Sequence, residues 1–455
     1  MESGMISVDR WAAGSQAYFL THLHADHTAG LSAAWRRGPL FCSRLTAKLI
    51  PCKFPGFDVS LLRIVEIGTW HSLSLTSPSS RSSVEFVFKA IDAQHCPVAL
   101  FGDQNFLATE FADLPLLICS VMYLFRGESG CTLHTGDFRW ESNSLGTENG
   151  RAVLIDALKD QTLDTLYLDN TYCNPQYSFP SREVASKQIV DIIMSHPNDE
   201  VVIAIDSLGK EDLLLYISQA LSMKIWVWPE RLQIMHLLGF HENFTTQTSL
   251  TRIRAIPRYS FKTDTLNKLN EFRGPTIGIM PSGMPWAVAR KDGNTVGASA
   301  SHVNEKECSK NPGSCSEIHG LGGNSGNATK YYEVHYSDHS CYSEIQEFIE
   351  LLRPVNIKGI VSSRSCCINP RYYFGHLCGP EQALWRVQQK LDYEEDLRRA
   401  EVAEIKPIAD GVSHVSGRKR KNDHMNFFGI RISRVSLLGR LSRGARITST
   451  ESCSE

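Results

Sequence analysis

Thr21-His22-Leu23-His24-Ala25-Asp26-His27 sets three imidazoles and a carboxylate in the order H-x-H-x-D-H. Phe19 and Leu20 lead into it and Thr28-Ala29-Gly30 follow, so an apolar strand runs out into a polar turn. Side chains alternate along a strand, which puts His22 and His24 on one face. A loop or helix start beyond them turns Asp26 and His27 toward a second point. The spacing therefore builds two metal sites side by side. Imidazole and carboxylate without thiolate suit zinc or a similar divalent ion in a hydrolytic centre. The competing readings are a solvated histidine cluster or a single structural zinc, and the context must decide.

The segment Asp92-Ala93-Gln94-His95-Cys96-Pro97 follows an alternating strand, Val84-Glu85-Phe86-Val87-Phe88. A lone histidine there is more often structural. His95 is a ligand candidate because the first site needs a third imidazole. Cys96 reads as a small buried hydrophobe. In Leu133-His134-Thr135-Gly136-Asp137-Phe138-Arg139-Trp140-Glu141, Gly136 permits a tight turn or close backbone approach. The carboxylate of Asp137 can bridge two cations, and His134 reads as structural. Thr165-Leu166-Tyr167-Leu168-Asp169 is an apolar strand ending in a carboxylate. In Val334-His335-Tyr336-Ser337-Asp338-His339-Ser340, His339 completes the second site and His335 is left out.

A chain of 455 residues predicts two or three domains, and 42% hydrophobic content supports a sizeable core. A net charge of -2 selects no partner. Thirteen scattered cysteines without repeated Cys-x-x-Cys pairs predict reduced thiols. No signal peptide or membrane-spanning run is evident, so a soluble intracellular protein is expected, with no membrane partner. From about Ser181 the texture changes. Ser181 can cap a helix carrying Ala185, Ile189, Ile192 and Ile193, with Pro197 beyond its end. A buried strand at 201–205 leads through Ser207-Leu208-Gly209-Lys210-Glu211 into a further helix. Strand, glycine-containing loop and helix start form an anion pocket, with Lys210 either a charge for phosphate or a solvated loop lysine. Residues 287–330, rich in Gly, Ser, Asn and Lys, predict a flexible linker. Between 418 and 446 nine Lys/Arg face one acidic residue, Asp423. That tail, with Arg418-Lys419-Arg420-Lys421, predicts disorder and a nuclear import signal or nucleic-acid contact.

In order and separation, VDRW, HLHADH, DAQHCP, HTGDFRWE, LYLDNTYCNP, SLGKE and HYSDHSCYSE resemble the Apollo/Artemis group of metallo-β-lactamase β-CASP DNA nucleases up to about residue 365. LYLDN and SLGKE stand nearer its Apollo branch. The resemblance implies an α/β fold, a metallo-β-lactamase αββα sandwich with an inserted α/β β-CASP domain. The sandwich would take 1–178 and 331–395, the insertion 179–286, the linker 287–330 and the basic tail 396–455. Carried over by position, His22, His24, His95 and Asp137 would hold one divalent metal ion. Asp26, His27, Asp137 and His339 would hold another. The metals would be zinc, with magnesium or manganese as alternatives in one site. Asp26, Asp137 and Asp169 would be the catalytic carboxylates, and Asp9, in VDRW, a supporting acid. Ser207 and Lys210 would bind a 5′-phosphate. The implied activity is 5′-to-3′ DNA exonuclease in a nuclear end-processing role, either interstrand crosslink repair or telomere maintenance. Its partners would be single-stranded or end-resected DNA and repair or telomere proteins. The family's RNA-processing members carry a histidine where Val361 stands. After His95-Cys96-Pro97 the family has Gly-Ser and then a strand, whereas here 98–119 intervene, with an apolar stretch Leu114-Pro115-Leu116-Leu117-Ile118. A retained intron or gene-model error leaves such a segment. It is expected to displace His95 or expose a sticky patch. The alternatives are an RNA endonuclease or thioester hydrolase on the same core, or a catalytically impaired isoform that binds DNA or protein.

Overall fold

In a computed structural model, the described residues are 5–95, 119–128, 130–142, 144–159, 161–283, 316–319, 330–361 and 369–379. Most of 98–119, most of 287–330, and the tail with its basic cluster lie outside them. Two sheets stack face to face. The first is parallel throughout and runs in the order β1 (Ile6–Val8), β2 (Ala17–Phe19), β3 (Leu40–Ser43), β4 (Leu62–Val65). The second is made from β5 (Trp70–Thr76), β6 (Ser83–Asp92), β7 (Val121–Gly127), β8 (Gly130–His134) and β9 (Thr165–Leu168). Its order is β17-β9-β8-β7-β6-β5, with β17 (Asn356–Gly359) parallel to β9 at the edge.

Strand periodicity explains the layers. Phe19, Phe86, Phe88, Val121, Tyr123 and Phe125 point into one core between the two sheets. Their sequence neighbours Tyr18 and Leu20 point outward to the helix Arg44–Lys53, through Leu45 and Leu49. Met122 and Leu124, on the opposite face of β7, pack with Leu154 of the helix Leu145–Leu158 and Phe348 of the helix Tyr342–Leu352. β7 thus reads as an unbroken apolar run because both its faces are covered. Each fully buried side chain of this kind contributes about 1.5–3 kcal/mol. Helix, sheet, sheet and helix make the αββα sandwich.

A third sheet carries β10 (Glu200–Ile205), β11 (Ile225–Trp226), β12 (Phe244–Thr245), β13 (Ile253–Pro257), β14 (Thr276–Ser282), β15 (Ser316–His319) and β16 (Lys330–His335). Its order is β12-β11-β13-β10-β14-β16-β15, parallel except at β15–β16. The helix Arg182–Ser195 starts where Ser181 accepts the Val184 N–H, and its stripe of Ala185, Ile189, Ile192 and Ile193 is buried. Their core is continuous with that over the Arg44–Lys53 helix. Two features differ from the sequence reading. Within the expected linker, 316–319 form a strand that pairs with the open edge of β16 and supplies its backbone partners. The segment expected to rejoin the sandwich at 331 first gives β16 to the third sheet, next to β14. Among the described residues no helix is long and apolar enough to cross a membrane.

Candidate metal centre

Loops at the ends of strands from all three sheets converge on one point. His22, His24, Asp26 and His27 follow β2, and His95 follows β6. Asp137 follows β8, Asp169 follows β9, and His339 follows β16. Asp137 lies at the centre. Its Oδ1 is 3.1 Å from His27 Nε2, and its Oδ2 lies 3.5, 3.6 and 4.0 Å from the Nε2 atoms of His22, His95 and His339. Three groups of donor atoms, each within 4.8 Å of one another, share this carboxylate: His22, His24, His95 and Asp137; Asp26, His27 and Asp137; Asp137, Asp169 and His339. His339 groups with Asp169, and it meets the Asp26–His27 group through the shared Asp137.

The backbone around Asp137 permits only a glycine before it. Gly136 has φ of 55°, and an added Cβ would meet Thr21 side-chain atoms at 2.8 Å. The same Thr21 is held by Asp9, whose carboxylate accepts its N–H at 2.8 Å and its hydroxyl at 2.7 Å. Asp9 also bonds His27 Nδ1 at 2.7 Å.

These contacts fix the tautomers. The Thr21 hydroxyl donates to Asp9, so it accepts from His22 Nδ1, 3.0 Å away. His95 Nδ1 lies 2.8 Å from the Asp338 carbonyl, which can only accept. Asp9 takes the Nδ1 of His27, and Asp169 takes that of His339 at 2.7 Å. In all four rings Nδ1 carries a proton and Nε2 faces the centre, the arrangement by which metal-ligating imidazoles are oriented. His24 enters with Nδ1, 3.1 Å from His95 Nε2. His22 Nε2 is buried without a hydrogen-bond partner. Converging lone pairs and a buried orphan nitrogen are what divalent cations would satisfy, so the residues fit metal binding.

Burial pushes the imidazoles of His22 and His95 well below 6.5, helped by the charges of neighbouring histidines. Burial lowers His24 too. These rings are neutral at pH 7. His27 and His339 go the other way. Burial opposes their charge, but Asp137 and Asp9 outweigh it at His27, and Asp169 and Asp137 carry His339 to about 9. Asp137 is held below the carboxylate range despite burial, by the charges of His27 and His339. Two opposite pH dependences follow. With a folded pKa above its unfolded 6.5, His339 stabilises the metal-free protein fully below pH 6.5, and this is lost as pH rises through about 9. Metal loading must displace that proton, so zinc affinity is expected to rise over the same window. Calorimetry at pH 7 in buffers of different ionisation enthalpy should report net proton release, whereas an affinity flat from pH 6.5 to 9 would contradict a protonated His339.

His95 keeps its place in the centre, so the expected displacement is not seen, and the sticky-patch alternative falls on residues outside those described. The ring is 1% exposed and seated among His22, His24 and His339. Its anchors lie outside the insert: the Asp338 carbonyl, and Arg182 Nη1, which donates to Gln94 O at 2.7 Å. The chain regains β7 through Ala93 N–H donating to Ser120 O at 3.1 Å. His134 accepts the Gly136 N–H through Nδ1, at 3.1 Å. Lys210 is not a solvated lysine. It is 8% exposed, with Nζ 3.2 Å from both Asp206 Oδ2 and Asp338 Oδ2. Ser207 lies beside it, with its carbonyl accepting from Arg231. Arg139, Arg182 and Asp338 were not singled out from sequence. Arg139 stands inside the HTGDFRWE stretch, and that placement was the available signal.

Residues 239–365 match the family described as DRMBL, DNA repair metallo-beta-lactamase. The chain is 33% identical over 365 residues to the 5′ exonuclease Apollo of Gallus gallus, covering 79% of this chain and 63% of that one. It is 33% identical to the same-named protein of Mus musculus, covering 79% and 54%. It is 30% identical to the DNA cross-link repair protein SNM1 of Arabidopsis thaliana, covering 76% and 60%. The chain thus spans between half and two thirds of the length of these relatives. Together with the sandwich, the third sheet and the converging donors, these likenesses support membership of the chain in the metallo-β-lactamase β-CASP group of Apollo and Artemis.

Proposed function

We propose that the chain is a 5′-to-3′ DNA exonuclease that hydrolyses phosphodiester bonds with two divalent metal ions. The observation that carries this reading is Asp137, shared by three donor groups and ringed by oriented imidazoles. In this reading His22, His24, His95 and Asp137 hold one ion, while Asp26, His27, Asp137 and His339 hold the other. Zinc suits the imidazole-rich first set, and magnesium or manganese can serve in the second. Held by these residues, such ions would supply Lewis acidity to activate a water and to offset charge on the phosphodiester. The chain's own groups set the geometry. Asp9 and Asp169 orient His27 and His339, and Asp137 joins the two sets.

The substrate is DNA with a 5′-phosphate. Residues 206–210 lie at the carboxyl end of β10, where parallel sheets bind ligands. Lys210 Nζ has three protons and two carboxylate partners, which leaves one for a phosphate oxygen. Val361 supplies no imidazole at the position where RNA-processing members carry one, and its backbone is clasped by the Asn170 amide on both sides. The biological setting in this reading is nuclear DNA end-processing, in interstrand crosslink repair and at telomere ends. The basic tail would serve import or DNA contact.

The test compares 5′-phosphorylated single-stranded DNA, the same strand with a 5′-hydroxyl, RNA, and a thioester. The phosphorylated DNA is expected to be trimmed fastest from its 5′ end. Lys210→Ala should narrow the phosphate-over-hydroxyl preference, because a charge-assisted contact is lost. Faster cleavage of RNA, or of the thioester, would replace this reading with another hydrolase on the same core.

A further inference from the structure

We propose that Asp338 is a positioning residue that couples the two metal sites, with Lys210 as its anchor. The inference rests on the two-metal reading above. Asp338 serves two ligands at once. Its carbonyl accepts His95 Nδ1–H at 2.8 Å, across 243 positions of sequence, which aims His95 Nε2 at the first set. Its chain neighbour is His339, of the second set. A shift of residue 338 therefore moves one ligand of each set together.

The side chain holds that residue in place. Asp338 is 7% exposed, and its Oδ2 meets Lys210 Nζ at 3.2 Å. Lys210 caps the helix Glu211–Ala220 with φ of 59°, and its carbonyl accepts the Leu214 N–H at 3.1 Å, so that helix holds its backbone. Flanking bonds restrain its neighbours, and Ser337 Oγ closes a turn over residue 338 by accepting the His339 N–H at 3.0 Å. Ser337 O accepts from Arg139 Nη1, and Ser340 Oγ donates to Phe138 O. The buried ion pair is thus the side-chain tether of the residue on which both sets depend. Lys210 follows β10 and Asp338 follows β16, so the pair joins two loops at the carboxyl end of the third sheet, and the His95 bond carries that tether to the sandwich.

The experiment uses the full chain and measures zinc binding by competition with a chromogenic chelator. Asp338→Asn keeps the shape and leaves Lys210 paired with Asp206, so no charge is stranded. Its zinc affinity is expected to fall about tenfold at both sites, the scale set by losing a contact that orients a ligand. Lys210→Met breaks the same pair from the other side and should give the same loss at both sites. Asp199→Ala, which removes the partner of His196 at 2.8 Å, serves as a control and should leave both affinities unchanged. Wild-type affinity at both sites in the folded Asp338→Asn and Lys210→Met proteins would overturn the proposal, as would a loss confined to one site. A wild-type chain that takes up no zinc, magnesium or manganese would instead overturn the two-metal reading, and this inference with it.

Discussion

Asp137→Ala is expected to abolish nuclease activity while the fold persists. The loss should exceed the roughly 10–100-fold that follows removal of a contact orienting a ligand, because this carboxylate is shared by all three donor groups. Its oxygens lie between His27 on one side and His22, His95 and His339 on the other. Without it, those rings lose the charge that offsets their mutual repulsion. His27 and His339 owe part of their raised pKa to Asp137, so both should fall toward 6.5 in the variant. The fold should hold because the alanine backbone keeps residue 137 in place, with its carbonyl still accepting from Ser120 Oγ. The check is turnover of 5′-phosphorylated DNA, metal content per chain, and far-ultraviolet circular dichroism. Near-wild-type turnover with metal supplied would refute the bridging role.

Donor chemistry was legible in sequence because it is local. H-x-H-x-D-H contains four of the converging side chains, and the loops after β6, β8 and β16 each announce one more. The helix after Ser181 was readable for the same reason, as a capping serine followed by a stripe at helical spacing. What was not legible is how the loops are held. Asp338 acts on His95 across 243 positions, Arg182 acts on Gln94 across 88, and Arg139 acts on Ser337 across 198. No periodicity marks a side-chain contact between segments this far apart in sequence. β16 escaped for a related reason. Its sequence sits beside the His339 motif, yet its parallel partner β14 is nonlocal, and parallel pairing leaves no hairpin signature. The sequence leaves Lys210 either a charge for phosphate or a solvated loop lysine, because a lysine in a glycine loop carries no sign of two carboxylates folded onto it from residues 206 and 338.

Arg139→Met is expected to destabilise the protein by about 3–5 kcal/mol, the range for breaking one side of a buried ion pair. Arg139 is 1% exposed and ties three segments together. Its Nε meets Glu344 at 2.9–3.0 Å, Nη1 donates to Ser337 O at 2.8 Å, and Nη2 donates to Pro180 O at 3.2 Å. Burial raises the Glu344 carboxyl above its ordinary 4.5 even though Arg139 pulls it down, so desolvation exceeds the attraction. The intact pair is therefore a weak source of net stability. The cost appears when the arginine goes and an unpaired carboxylate stays buried. Two carbonyls are also left short of a donor, each at about 1–3 kcal/mol if no water replaces it. Arg139→Met/Glu344→Leu separates the terms. Removing the stranded carboxylate should recover part of the loss, while the carbonyls at 337 and 180 keep the remainder, and the lost Glu344 bond to Cys341 N–H at 2.9 Å adds to it. Urea denaturation of the metal-free proteins measures both variants. A single variant as stable as wild type would mean that water replaces the guanidinium at all three contacts. A double variant no better than the single would assign the cost to the carbonyls of 337 and 180, and so to the loop that carries His339.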